Sequence, residues 1–147
     1  MVSAFIKSKH YSKKSLGGIY VLIIQVNEDI DVNVGALGKR IFNKGLYAYV
    51  GSAQRNMEQR INRHLRSEKR KFWHIDYFLE NSHTNIIKIF FNEGDNEEEC
   101  KTAESLSEYG EPISGFGCSN CRCKSHLFSL KKYSFLQETM KVFPIET

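Results

Sequence analysis

The chain has 147 residues, of which 41% are hydrophobic and 12% aromatic, and its net charge is +4. That length suits one domain around one core, and the composition excludes a disordered chain. No apolar run approaches the ~20 residues of a membrane span. The N-terminus MVSAFIKSKHYSKKS also lacks the apolar centre of a signal peptide, so a soluble cytoplasmic protein with no membrane partner is expected.

Residues 1–16 read as a basic arm carrying Lys7, Lys9, Lys13 and Lys14. Next comes GGIYVLIIQV (17–26), a continuous bulky run that predicts a buried strand. NEDID is a turn. Ile30, Val32 and Val34 alternate with Asp31 and Asn33, as in a half-buried strand. GALGKRIFNKG is glycine-punctuated and reads as a loop. In GLYAYVG (45–51), Leu46, Ala48 and Val50 face one way, and Tyr47 and Tyr49 the other. Three strands joined by short turns predict an antiparallel meander. A helix from Asn56, as cap, to Leu65 follows. KFWHIDYFLEN predicts a second helix and TNIIKIFF (84–91) a strand. A third helix begins near Asn96 and stops near Gly110. The tail holds a cysteine cluster, the apolar stretch SHLFSL and a C-terminal segment of no assigned form. The organisation expected is an arm (1–16), one domain (17–130) and an extension (131–147). Its class is α+β, with a small three-stranded antiparallel central sheet flanked by helices.

Charge is unevenly spread. Arg55, Arg60, Arg63, Arg66, Lys69, Arg70 and Lys71 face only Glu58 and Glu68 over that stretch. Such a basic helix suits a polyanion, although a solvated helix face explains charge alone more simply. On the first helix, Met57, Ile61 and Leu65 form an apolar stripe. Residues advance about 100° each, so Arg60 and His64 flank that stripe, while Arg63 and Arg66 point away. On the third helix, Ala103 and Leu106 define the apolar side and Glu99 projects between them, whereas Glu97 and Glu98 point outward. A carboxylate on a core-facing side is costly without compensation, which the helix N-terminus or a bound cation can supply. Solvent exposure of the side chain is the competing reading. Cys118, Cys121, Cys123 and His126 offer four potential zinc ligands, with Cys100 as an alternative. Their tight spacing fits equally a turn of reduced, packed cysteines.

Taken in order, these pieces resemble the GIY-YIG nuclease family. Gly18-Ile19-Tyr20 and Tyr49-Val50-Gly51 match its two name motifs. The helix SAQRNMEQRINRHL carries the Arg-x-x-x-His pair as Arg60 and His64. Glu99 falls where the family's metal-binding glutamate stands, and Pro112 follows. The match spans roughly residues 17–115, with an insertion (27–44) between the tyrosine strands. YVGSA, KFWHIDYFL and GFGCSNCRCKSHLF resemble a less defined prokaryotic subgroup. Two departures stand out. The family's Pro-x-x-Asn is absent, with Asn120 as a substitute, and the cysteine-rich tail is foreign to most members.

The resemblance implies that Tyr20, Tyr49, Arg60, His64 and, less closely, His74 surround a phosphodiester, with Glu99 holding Mg²⁺ or Mn²⁺. Tyr20 or Tyr49 would orient or deprotonate the attacking water, with His64 as an alternative base. Arg55, Arg63, Arg66, Lys69, Arg70 and Lys71 would hold the nucleic-acid backbone, most simply that of DNA. Structural zinc at the tail is the further cofactor expected. Substrate choice would rest on DNA structure, on a homodimer or on a protein partner. A non-catalytic nucleic-acid-binding module that keeps the nuclease fold is the alternative to a metal-dependent endonuclease.

Overall fold

The structure, a computed structural model, describes residues 16–117 and 125–145. At its centre is β1 (Leu16–Val26), buried on both sides. Tyr20, Leu22, Ile24 and Val26 face one apolar layer. Ile19, Val21 and Ile23 face the other. A strand with no solvated face needs no alternation, which is why its sequence is a continuous apolar run.

The sheet around β1 is larger than the three-stranded meander expected. Six antiparallel strands lie in the order β6-β7-β4-β1-β5-β8, and a separate two-stranded sheet pairs β2 with β3. The central partners of β1 are β4 (Gly45–Arg55) and β5 (Thr84–Glu93). Beyond them lie β6 (Gly110–Pro112), β7 (Leu127–Leu130) and β8 (Lys141–Val142), short strands of which β6 and β8 form the edges. Strands this short carry too few residues for a period to register.

The insertion behaves differently from the loop read in GALGKRIFNKG. There β3 (Lys39–Phe42) folds back on β2 (Ile30–Asn33), and β2 does not pair with β1. Its glycines mark the turn rather than an irregular loop: Gly35 and Gly38 have φ of +50° and +86°. The hairpin buries Ile30, Val32, Val34 and Phe42 in the same layer as Tyr20.

Four helices stand among the described residues: α1 (Met57–Leu65), α2 (His74–Glu80), α3 (Asn96–Ser107) and α4 (Ser134–Thr139). α1 and α2 cover the Tyr20 side through Met57, Ile61, Ile75 and Phe78, while Ala103, Leu106 and Leu136 cover the other. Asn56 does not cap α1 with its side chain. It adopts the left-handed conformation (φ 59°) that asparagine tolerates, turning the chain out of β4 into the helix. α3 is capped by Asp95, whose carboxylate accepts the Glu97 and Glu98 backbone N–H groups. Residues 131–145 return to the same body. β8 pairs with Phe90 and Phe91, and Leu136 and Phe143 are buried. Among the described residues no helix is long and apolar enough to cross a membrane.

Candidate functional site

The register of β1 against β4 sets the site. Tyr20 lies opposite Gly51, and Leu22 opposite Tyr49. The absence of a side chain at Gly51 is required: a Cβ there would lie 2.6 Å from Tyr20 Cζ and Oη. The tyrosine ring therefore lies across the glycine of the neighbouring strand, and its hydroxyl reaches α1. There it meets His64 Nε2 at 2.7 Å. Tyr49 packs edge-on to the same imidazole, with ring centroids 6.1 Å apart.

His64 is 2% exposed. Burial drives its pKa down to about 3, so the ring is neutral at physiological pH. Its Nδ1 is buried without a hydrogen-bond partner among the described residues. A buried ring nitrogen without a partner is costly. Burial also pushes both tyrosine hydroxyls up, although Arg60 acts in the opposite direction on each.

Arg60 lies one turn before His64. Its guanidinium donates to the Ser52 carbonyl at 2.9 Å and lies over the Trp73 ring at 4.7 Å. The Ser52 side chain continues the chain of contacts, its hydroxyl donating to Glu99 Oε1 at 2.7 Å. The other carboxylate oxygen, Oε2, lies 3.1 Å from His126 Nδ1. Burial opposes ionisation of Glu99, but the bonds from His126 and Ser52 outweigh it and hold the carboxyl below its ordinary value. Glu99 is therefore a half-buried carboxylate, ionised at neutral pH and fixed at both oxygens, while Glu97 and Glu98 are exposed. Glu99 is the carboxylate of this network that a divalent cation would meet, and both its oxygens already have protein partners.

The remaining expected residues divide. His74 lies apart from this network: its Nδ1 accepts the Gly117 backbone N–H at 2.8 Å and its ring packs on Phe116. Arg63 does not point away as its position on α1 suggested. It forms a two-pronged pair with the buried Asp76, both N···O distances 2.9 Å, and stacks over Trp73 at 4.4 Å. A buried carboxylate on α2 outcompetes solvent for the guanidinium, so Arg63 is structural. Lys69 turns inward to the His64 carbonyl at 3.2 Å and to the Arg66 carbonyl. Lys71 pairs with Glu80 at 2.9 Å. Arg55, Arg66 and Arg70 are exposed.

His126 joins the site as a partner of Glu99, a contact that its place among the cysteines did not suggest. Cys118, Cys121, Cys123 and Asn120 lie outside the described residues, and Cys100 is half-buried. Among the described residues, no group of three or more His, Cys, Asp and Glu side chains could hold a metal. Sequence reading missed Ser52, Trp73 and Asp76. Ser52 follows directly on Tyr49-Val50-Gly51 and faces α3, so its position was the available signal. Trp73 and Asp76 carried none, because their partners lie on another helix.

A β-sheet layered between helices thus brings an ordered carboxylate, an arginine and a tyrosine–histidine pair to one place. The chain belongs to the family described as domain of unknown function DUF123, which it matches over residues 19–145. Searches of curated proteins and of solved structures found no match.

Proposed function

We propose that the protein is a metal-dependent endonuclease that hydrolyses phosphodiester bonds in nucleic acid, most simply DNA, in the manner of the GIY-YIG nucleases its motifs resemble. The observation that carries this reading is the continuous contact path from Glu99 through Ser52 to Arg60, beside the Tyr20–His64 pair. Arg60 presents a planar donor fork suited to a non-bridging phosphate oxygen. Ser52 and His126 keep Glu99 in one orientation, ready to hold Mg²⁺ or Mn²⁺. Such an ion, when bound, neutralises charge on the scissile phosphate and the leaving oxygen. The raised pKa of both tyrosines suits hydrogen-bond donation better than proton abstraction. Tyr49, 8% exposed against 1% for Tyr20, is the better placed to orient a water, while Tyr20 anchors His64. Zinc at the cysteine-rich tail, next to His126, would fix the segment that carries this partner of Glu99.

One observation favours the alternative, a binding module without catalysis. Both oxygens of Glu99 already accept protein donors, and Tyr20 and His64 are almost fully enclosed. The two readings separate on incubation with linear, nicked, flapped and branched DNA, with and without Mg²⁺ or Mn²⁺. The nuclease reading expects cleavage that Glu99→Gln abolishes while leaving binding intact. Glu97→Gln and Glu98→Gln should stay near wild type, because both side chains are exposed. Arg60→Ala should lose cleavage and some binding. Glu99→Gln cleaving at the wild-type rate would overturn the assignment. Absence of cleavage on every DNA and RNA form, with binding retained, would establish the binding module.

A further inference from the structure

Phe72 is 75% exposed, the most exposed large hydrophobic residue among those described. Leaving a phenylalanine in water forfeits burial that most chains would use, so an isolated case needs context. Here the context is specific. Phe72 sits between α1 and α2, directly after Arg66, Lys69, Arg70 and Lys71, with Glu68 as the one acid in that stretch. Arg66 and Arg70 are themselves exposed.

The segment is also firmly held. The Phe72 backbone N–H donates to Asp76 Oδ2 at 2.7 Å, and that of Trp73 donates to the same oxygen at 2.9 Å. Asp76 is fully buried and paired with Arg63. The Phe72 ring meets Trp73 edge-on at 5.5 Å, and Trp73 in turn lies beneath both Arg63 and Arg60. An exposed aromatic ring is thus presented by an anchored backbone, flanked by the exposed Arg66 and Arg70 and one side chain removed from Arg60.

We propose that Phe72 is a stacking site for an unpaired base, so that the substrate is nucleic acid with a single-stranded segment beside the cleaved phosphate. This rests on the nucleic-acid reading above and adds the structural class of substrate. Aromatic rings in positively charged grooves stack on bases regardless of sequence, and a paired base inside a duplex offers no free face. The preorganised backbone lowers the ordering cost on binding. Charge complementarity favours a polyanion over an apolar protein partner, since the residues around the ring are arginines and lysines.

The test uses the full chain with a fluorescein-labelled single-stranded oligothymidylate and a duplex of equal length, read by anisotropy. Trp73, the single tryptophan of the chain, gives a second readout, because a base stacked on Phe72 should quench its emission. Phe72→Ala removes little core, so its fold should persist. It should weaken single-strand binding about tenfold, abolish the Trp73 quenching and leave duplex binding unchanged. Phe72→Tyr should keep both signals. Arg66→Gln with Arg70→Gln should weaken both ligands and flatten the salt dependence. If wild type binds duplex but Phe72→Ala binds single strand unchanged, the stacking site is wrong and the nucleic-acid reading stands. If wild type binds neither ligand, both fail. If Phe72→Ala changes only the sedimentation coefficient, Phe72 is a contact between protein copies and the proposal is overturned.

Discussion

At mildly acidic pH His64 is protonated in the unfolded chain and neutral in the folded one. The free imidazole titrates near 6.5, and burial lowers the folded value to about 3. Between those values the unfolded state binds the extra proton, so stability falls as pH falls. The loss begins near pH 6.5 and is complete near 3, on the order of 4 kcal/mol in all. Asp76 and Glu99 have lowered pKa values too, so their contributions disappear only below the ordinary carboxylate range. The window from pH 6.5 to about 4.5 therefore belongs mainly to histidine. His74, lowered by burial and by Arg40, adds a smaller slope of the same sign. Urea unfolding at pH 7 and pH 5 should show wild type losing about 2 kcal/mol. His64→Gln should lose clearly less. An unchanged slope in that variant would mean that the imidazole is not buried neutral.

At the scale of elements, Arg63 in the last turn of α1 and Arg66 just past its end have opposite fates. Arg63 joins α1 to α2 through Asp76, whose side chain is 0% exposed against 19% for Arg63. Removing the guanidinium leaves a buried carboxylate without its countercharge, held only by the Phe72 and Trp73 N–H groups, and breaking a buried pair this way typically costs about 3–5 kcal/mol. Arg63→Ala should therefore cost about 3 kcal/mol, whereas Arg66→Ala should stay within about 0.5 kcal/mol. Equal midpoints for the two variants in denaturant would remove the staple from the account. The helical period makes intrahelical facing legible: it turned Glu99 toward Ala103 and Leu106, and Glu99 does lie inward on Ser52. The same period gave Arg63 no reason to differ from Arg66, because the difference lies in a carboxylate on the next helix. In the β2–β3 hairpin the alternation of Ile30, Val32 and Val34 was legible, but β3 was hidden for a related reason. β3 is four residues long with Gly38 before it and Gly45 soon after, so turn chemistry dominated that stretch. The tyrosine strands were legible because β1 and β4 run to eleven residues each and are rich in aromatic and β-branched side chains.

On the scale of the whole molecule, the chain's last described segments close what its first ones open. β1 and β4 form the centre, β7 adds to β4 from one side, and β8 adds to β5 from the other. The sheet is thus complete only when residues 125–145 have returned, and that return also delivers His126 to Glu99. No local pattern could reveal this, because the pairings join segments some fifty to eighty residues apart, as in Ala48 with Phe128. The packing of residues 131–145 predicts that their removal is costly. Deleting residues 132–147 would keep β7 and His126 but strip α4 and β8. Leu136 and Phe143, 3% and 2% exposed, would be lost from the two apolar layers. Each such side chain is worth about 1.5–3 kcal/mol when buried, so roughly 3–6 kcal/mol is at stake. A domain of this size has about 5–15 kcal/mol in total. The truncated chain should therefore unfold at a much lower denaturant concentration and bind a hydrophobic dye through Phe90 and Phe91. Because β1, β4, α1 and α3 stay, any folded fraction should retain the Tyr20–His64 and Ser52–Glu99 contacts and bind nucleic acid. A wild-type midpoint without dye binding would show that α4 and β8 rest on the sheet without supporting it.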